Sequence, residues 1–298
     1  MHKRVAWICV TVLAACSGNG DTTPVAVVTT SPATTTTVVP PTTVTAAPSP
    51  VTAATTMSTS TSTTTTTVAP TTTTLPGVAG LATDALQVVE IGRSVDGRPI
   101  TAVERGTPGG TVVLVIGVIH GDEPAGVKIV EELAIAPVPP GVDLWLIESM
   151  NPDGQAAGTR TNAHLVDLNR NFPYQWAPLG DPGDSQYGGA GPASEPETQA
   201  IVDFITAIQP DIGIWYHQDL FRIAPGQPGR DAEVRARYAG LTGLPVLTIT
   251  GGTYTGVAAT WQRTTIPDGV AFIVELGPRL TRAAAKVHAA AVLEVAAP

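Results

Sequence analysis

Thr111-Val-Val-Leu-Val-Ile-Gly-Val-Ile119 carries no charge, is mostly β-branched, and runs directly into His120-Gly-Asp-Glu123. An apolar run of this kind reads as a strand buried on both faces, the habit of a parallel sheet covered by helices. A histidine and a carboxylate three residues apart therefore emerge where the chain leaves the sheet and enters a helix-like segment, Glu123 to Ala134. In α/β sheets that is where sites form. His and Glu offer nitrogen and oxygen donors suited to zinc, but a catalytic zinc needs three protein ligands. Taken alone, His-x-x-Glu reads just as well as a helix start with a carboxylate placed favourably at its positive end.

Outward from this run the same alternation continues. Val142 to Glu148, Asp211 to Tyr216, Leu244 to Ile249 and Val270 to Glu275 are further strand candidates. Helices are expected at Glu195 to Ile208, Ala232 to Thr242 and Arg282 to Val295, the first with Ser194 as cap and Glu197 at the capping-box position. The pattern is that of an α/β domain. The Gly/Pro-rich stretch from Tyr174 to Pro192 reads as a long surface loop, either functional or a plain excursion.

Two strand ends carry further chemistry. Ile212-Gly-Ile-Trp-Tyr216 terminates in His217, a candidate third ligand or an ordinary strand-end histidine. His164 lies in a polar loop and His288 in an Ala-rich terminal helix, so both read as surface residues. Glu275 closes Val270-Ala-Phe-Ile-Val274, and a carboxylate in an apolar strand is costly unless it is employed, as a base or as the partner of a buried arginine.

Upstream the composition changes. Lys3 and Arg4 precede an apolar run, Val5 to Ala15, too short to span a bilayer and shaped like a secretory leader. Residues 17–79 are almost entirely Thr, Ser, Pro, Ala, Val and Gly, which cannot build a core and reads as a disordered stalk. Fully extended, it would reach on the order of 190 Å at about 3.1 Å per residue. The expected organisation is a leader at 1–15, a stalk at 16–79 and one catalytic domain at 80–298. Beyond the stalk the chain holds 24 acidic and 14 basic residues, once Asp21, Lys3 and Arg4 are set aside, so it offers no basic face for nucleic acid. Both cysteines, Cys9 and Cys16, lie upstream, so any metal in the domain must sit on His and carboxylate. No protein partner is inferred.

Two resemblances follow from these residues. Leu13-Ala-Ala-Cys16, followed by Ser17-Gly18, resembles the lipobox of bacterial lipoproteins, which implies a lipidated Cys16 and a domain anchored to the outer face of the cell membrane. The ordered set His120-Gly-Asp-Glu123, Asn151-Pro-Asp-Gly154, Val166-Asp-Leu-Asn-Arg-Asn-Phe-Pro173, Ser194-Glu-Pro-Glu197, His217 and Glu275 resembles the zinc metallocarboxypeptidases, most closely their murein peptide amidase branch. The second resemblance implies a mixed, mostly parallel central sheet flanked by helices, and one zinc held by His120, Glu123 and His217. It also implies that Glu275 is the base activating water at the metal, that Arg160 polarises the scissile carbonyl, and that Asp167 orients the first histidine. Asn169 and Arg170 match the pair that grips a substrate's terminal carboxylate. Tyr254 lies near the position of a mobile tyrosine of digestive carboxypeptidases, at an altered spacing, and is not expected to be catalytic. The implied reaction is hydrolysis of cell-wall peptide stems at the γ-D-glutamyl-diaminopimelate bond. Alternatives are cleavage of ordinary peptide C-termini, an aspartoacylase-type deacylase of N-acyl amino acids, or an inactive wall-binding lipoprotein.

Overall fold

The computed structural model describes residues 85–297. The leader, Cys16 and the stalk lie outside the described residues. A seven-stranded mixed sheet forms the frame: β1 (Gln87–Arg93), β2 (Pro99–Gly106), β3 (Thr111–Val118), β4 (Val142–Ser149), β5 (Ile212–Gln218), β6 (Arg222–Ile223) and β7 (Val270–Leu276), in the spatial order β1-β2-β4-β3-β5-β7-β6. The four central strands β4, β3, β5 and β7 run parallel, and antiparallel strands close both edges.

Helices cover both faces, as the continuous apolar strands require. One core joins alternate residues of the central strands (Val113, Val115, Ile214, Tyr216) to α1 (Val127–Leu133), α4 (Arg230–Thr242) and α6 (Arg282–Ala296). The other joins their neighbours (Leu114, Ile116, Trp215) to α3 (Pro196–Ile208) and α5 (Ala258–Thr265). Each strand thus feeds two cores through the period-two alternation of its side chains. The short helix α2 (Pro152–Ala157) follows β4.

The topology positions the site. From β3 the chain returns through α1 to β4 on one side, while β5 pairs on the other side of β3 and is reached through α3. The connections leaving β3 and β5 therefore diverge, which opens a crevice at the carboxyl ends of two adjacent strands.

Several sequence expectations are corrected. Leu244 to Ile249 is not a strand: only Val246 bridges to Ile223, since its neighbours face solvent and β6 supplies just two residues to pair with. The segment after His120 opens with a 3-10 turn, Pro124–Gly126, before α1 begins. The cap of α3 is Glu195 rather than Ser194, whose hydroxyl instead donates to the Glu195 carboxylate. His288 is buried, not surface: α6 turns it inward, where its Nδ1 lies 2.8 Å from the Tyr238 hydroxyl, itself 2.8 Å from that of Tyr216. The loop 174–192 is without helix or strand, as expected.

Candidate metal centre

His120 stands just beyond β3, and Gly121 explains how the chain turns there: a Cβ on it would lie 1.9 Å from the backbone of Gly154, so only glycine allows α2 to approach. The 3-10 turn then swings Glu123 back beside His120. His217 lies inside β5, one strand away, and is paired in register with Glu275 of β7. Asn151 ties the neighbouring loop to this edge: its side chain donates to Ile119 O and to Arg160 O, and accepts from Gly154 N to cap α2. Gly158, left-handed at φ +65°, ends α2 and releases the loop that carries Arg160.

Three donor groups converge. His120 Nδ1 lies 3.1 Å from His217 Nδ1 and 3.0 Å from Glu123 Oε1, and His217 Nδ1 lies 3.0 Å from Glu123 Oε2. Zinc bonds of about 2.0–2.1 Å at tetrahedral angles put ligand atoms roughly 3.3 Å apart, close to these separations. Three electron-rich side chains held this near one another suit a cation. The outer nitrogens are occupied in the manner of metal-binding histidines: His120 Nε2 faces Asp167 Oδ1 at 3.0 Å and His217 Nε2 faces Asn169 Nδ2 at 3.4 Å. Gln218 N donates to Glu123 Oε2 at 3.0 Å, completing the hold on the carboxylate.

The electrostatics prepare the ligands. Burial opposes charge on Glu123, but hydrogen bonds from His120 and His217 outweigh it and hold the carboxyl well below its usual range. Burial likewise raises Asp167, and the nearby His120 and Arg160 charges more than reverse that. His217 is driven down by burial and favours the neutral, ligating form. His120 is pushed down by burial but raised overall by Asp167 and Glu123, so a metal ion would have to displace its proton.

Arg160 is clamped onto this set. Its Nη2 and Nε donate to Asp167 Oδ2 at 2.9 and 3.1 Å, its Nη1 to Glu123 Oε1 at 3.1 Å, and its Nε also reaches Ser185 O in the long loop. Two polar atoms nearby are buried without a partner among the described residues: Arg170 Nε and Glu275 Oε2. The possibility that Glu275 pairs with a buried arginine is closed, because its register neighbour Arg222 bonds Leu220 O and Thr248 O instead. Burial, reinforced by the Glu123 charge, pushes the Glu275 carboxyl up to about 7. Asn169 is fixed by accepting from Ala258 N at 3.0 Å, and the Arg170 guanidinium lies 5.3 Å from the Tyr254 ring, whose side chain is largely exposed.

The sequence-predicted residues His120, Glu123, Arg160, Asp167, Asn169, Arg170, His217 and Glu275 thus come from five separate segments to one edge of the sheet. Sequence reasoning missed Gln218 and Ala258, which act through backbone N–H groups that no motif could signal. Asn162 was missed too: its Nδ2 bridges the buried Glu195 and Glu197 while its Oδ1 accepts from His164 N and Val166 N, pinning the segment between Arg160 and Asp167.

Comparison with known proteins agrees with this geometry. The zinc carboxypeptidase family model matches residues 72–219. Murein peptide amidase A of Escherichia coli (strain K12) is 31% identical over 182 residues, 57% of this chain and 74% of that protein. Carboxypeptidase SOL1 of Arabidopsis thaliana is 31% identical over 140 residues, 41% of this chain and 27% of that protein. Among solved structures, murein-tripeptide amidase MpaA from Escherichia coli O157 superposes with a TM-score of 0.59 at 25% identity, covering 74% of this chain and 95% of that one. Carboxypeptidase A from Helicoverpa armigera shares the fold, with a TM-score of 0.62 at 18% identity over 72% of this chain and 68% of that one. With a His-Glu-His group assembled at the carboxyl edge of such a sheet, the chain belongs to the zinc carboxypeptidase family and is a zinc metallopeptidase whose metal ligands are His120, Glu123 and His217.

Proposed function

We propose that this enzyme is an exported, membrane-anchored hydrolase of cell-wall peptide stems, cutting the bond between γ-D-glutamate and diaminopimelate. The observation that carries the reading is Arg170: a buried guanidinium with an unpartnered Nε, beside an Asn169 already fixed at the metal ligand His217. A buried cation short of acceptors is a receptor for an anion, and its planar fork suits a carboxylate. A short stem presents a free carboxylate close to the bond to be cut. The similarity to murein peptide amidase A supports the γ-D-glutamyl linkage.

When bound, zinc supplies Lewis acidity toward the scissile carbonyl and toward water. The rest falls to the chain's own side chains. Asp167 holds His120 with Nε2 engaged, leaving Nδ1 facing Glu123 and His217, where these three side chains would hold zinc. Arg160, fixed through Nε and Nη2, presents Nη1 beside Glu123, where it steadies negative charge growing on the carbonyl oxygen. Glu275, unpartnered at Oε2, takes a proton from the attacking water and returns it to the departing amine. Asn169 and Arg170 hold the terminal carboxylate so that the bond rests at the metal. Lipidation at Cys16, followed by the Thr/Ser/Pro-rich sequence of 17–79, would let the domain reach wall fragments.

The test is a comparison of kcat/KM for alanyl-γ-D-glutamyl-diaminopimelate and for a conventional carboxypeptidase substrate. A clear preference for the tripeptide is expected. Hydrolysis of the conventional substrate alone would overturn the wall assignment and leave an ordinary metallocarboxypeptidase.

A further inference from the structure

Consecutive side chains of β5 project to opposite faces of the sheet. His217 follows Trp215 onto the face covered by α3 and α5, where Asn169 contacts it and Ala258 fixes Asn169. Gln218 follows Tyr216 onto the face covered by α1 and α6, and its Oε1 accepts from Ala125 N at 2.8 Å. The metal group on the edge therefore divides two territories. One holds the carboxylate grip.

The other holds a groove of about 670 Å³ between the start of α1 and the connection from β7 to α6, lined among others by Pro124, Lys128, Glu131, Gln155, Gln218 and Arg279. Two of its lining residues flank metal ligands in the chain: Pro124 follows Glu123, and Gln218 follows His217 and bonds the Glu123 carboxylate through its N–H. One wall is fixed by Lys128 Nζ, which donates to Leu280 O at 2.8 Å. Arg279 differs: it is exposed and makes no hydrogen bond or ion pair with any described residue, although its near neighbour Arg282 is paired with Glu132. In a domain with more acids than bases, an uncommitted arginine on a groove with lining residues that flank the metal ligands is suited to meet a negative group.

A substrate whose terminal carboxylate is held by Asn169 and Arg170, with its scissile carbonyl at the metal, must leave across the other face. We propose that the groove is the subsite for the acyl side of the scissile bond, and that Arg279 binds a carboxylate carried there. This rests on the function proposed above, under which that group is the free α-carboxylate of the γ-linked D-glutamyl residue. A γ-linkage leaves this carboxylate free next to the bond being cut, whereas an ordinary α-linked peptide consumes it in the chain. Arg279 thereby becomes a specificity residue for the linkage.

The experiment uses the full zinc-loaded chain and two substrate pairs: alanyl-γ-D-glutamyl-diaminopimelate with its α-amide, and an α-linked peptide with Glu or Gln before its C-terminal residue. Alongside kcat/KM, calorimetric binding of the product dipeptide L-alanyl-D-glutamate is compared with that of its α-amide. Wild type is expected to favour the free carboxylate roughly tenfold in both readouts, the worth of one charge-assisted hydrogen bond at a partly exposed site. Arg279→Gln should erase the preference by lowering only the acidic member, and Arg279→Lys should keep part of it. Because Arg279 is exposed and unpartnered, both variants should melt with wild type. No preference in wild type, or an equal fall on acid and amide in Arg279→Gln, overturns the subsite. If only the α-linked pair is cut and its acid preference vanishes in Arg279→Gln, the γ-D-glutamyl reading fails while the subsite stands. If the γ-linked pair is cut without preference, the reverse holds. Should neither pair be cut, the binding comparison alone decides the subsite.

Discussion

Asp167→Asn changes one atom of the side chain, and the structure predicts what that does to zinc. Asp167 is fully buried, and its two oxygens serve different partners. Oδ2 accepts two bonds from Arg160, at 2.9 and 3.1 Å. Oδ1 accepts from Asn169 N at 2.9 Å and faces His120 Nε2 at 3.0 Å. An asparagine can keep only one acceptor. If its carbonyl stays with Arg160, its amide turns two hydrogens toward the Asn169 N–H and toward His120. His120 Nε2 must then accept, and the ring proton moves to Nδ1, the atom that faces Glu123 and His217. That tautomer presents a hydrogen where the metal needs a lone pair. If the amide flips, it opposes the buried Arg160 guanidinium instead. Either way the loss is about one charge-assisted hydrogen bond, about 1.5–3 kcal/mol. The zinc dissociation constant should rise on the order of 10- to 100-fold, the usual effect of removing such a partner. Competition with a fluorescent chelator measures it directly, with circular dichroism to confirm the fold. An affinity within twofold of wild type would show that Asp167 does not set the His120 tautomer.

Glu275→Gln should retain stoichiometric zinc while kcat falls by roughly 10²- to 10⁴-fold, the range for a lost general base; near wild-type turnover would move proton transfer to another group. His288 carries a pH-dependent part of the stability: burial lowers it from 6.5 to about 4, so the unfolded chain binds more protons between those values. Its contribution is complete above about pH 6.5 and is lost as pH falls toward 4, about 2 kcal/mol between pH 7 and pH 5. The facing groups, the Tyr238 and Tyr216 hydroxyls, are both pushed up and stay neutral there. Urea unfolding at the two pH values should therefore show a smaller difference in His288→Gln, and an unchanged difference would refute the assignment. Cys16→Ser should release the protein from membranes or stall its processing, as read by fractionation and N-terminal sequencing; normal trimming with unchanged membrane partition would defeat the lipoprotein reading.

The architecture was legible where burial acts on every residue of a segment. The run at 111–119, buried on both faces, announces a central parallel strand, and the strands at β4, β5 and β7 follow the same rule within a residue or two. His120, Glu123, His217 and Glu275 were legible as candidates, at or shortly after the ends of apolar runs, but only the ordered motif set resembling the zinc metallocarboxypeptidases assigned the first three to the metal and Glu275 to proton transfer. β1 and β2 were not legible: β1 is an edge strand that alternates only weakly, and β2, paired on both sides, is broken in sequence by Glu104 and Arg105, charged residues that the packing buries. The short helices α2 and α5 also escaped, as one or two turns carry too little periodicity to read.

Inward or outward placement of single residues could not be read from a pattern of this kind. His288 looked like a surface histidine because alanine surrounds it, yet α6 meets β5 and α4 on the side where two tyrosines accept it. Residue types and their order along the chain determine which groups can take part in the chemistry. That His217 and Gln218 serve opposite faces of the edge, that Glu275 stands in register with His217 free of any arginine, and that Arg279 opens onto a groove are consequences of strand pairing and helix packing. Those contacts join residues as many as 152 positions apart, as Lys128 and Leu280 are. Local sequence carries no information about such distances, because the free energy that fixes them comes from burial shared across the whole sheet.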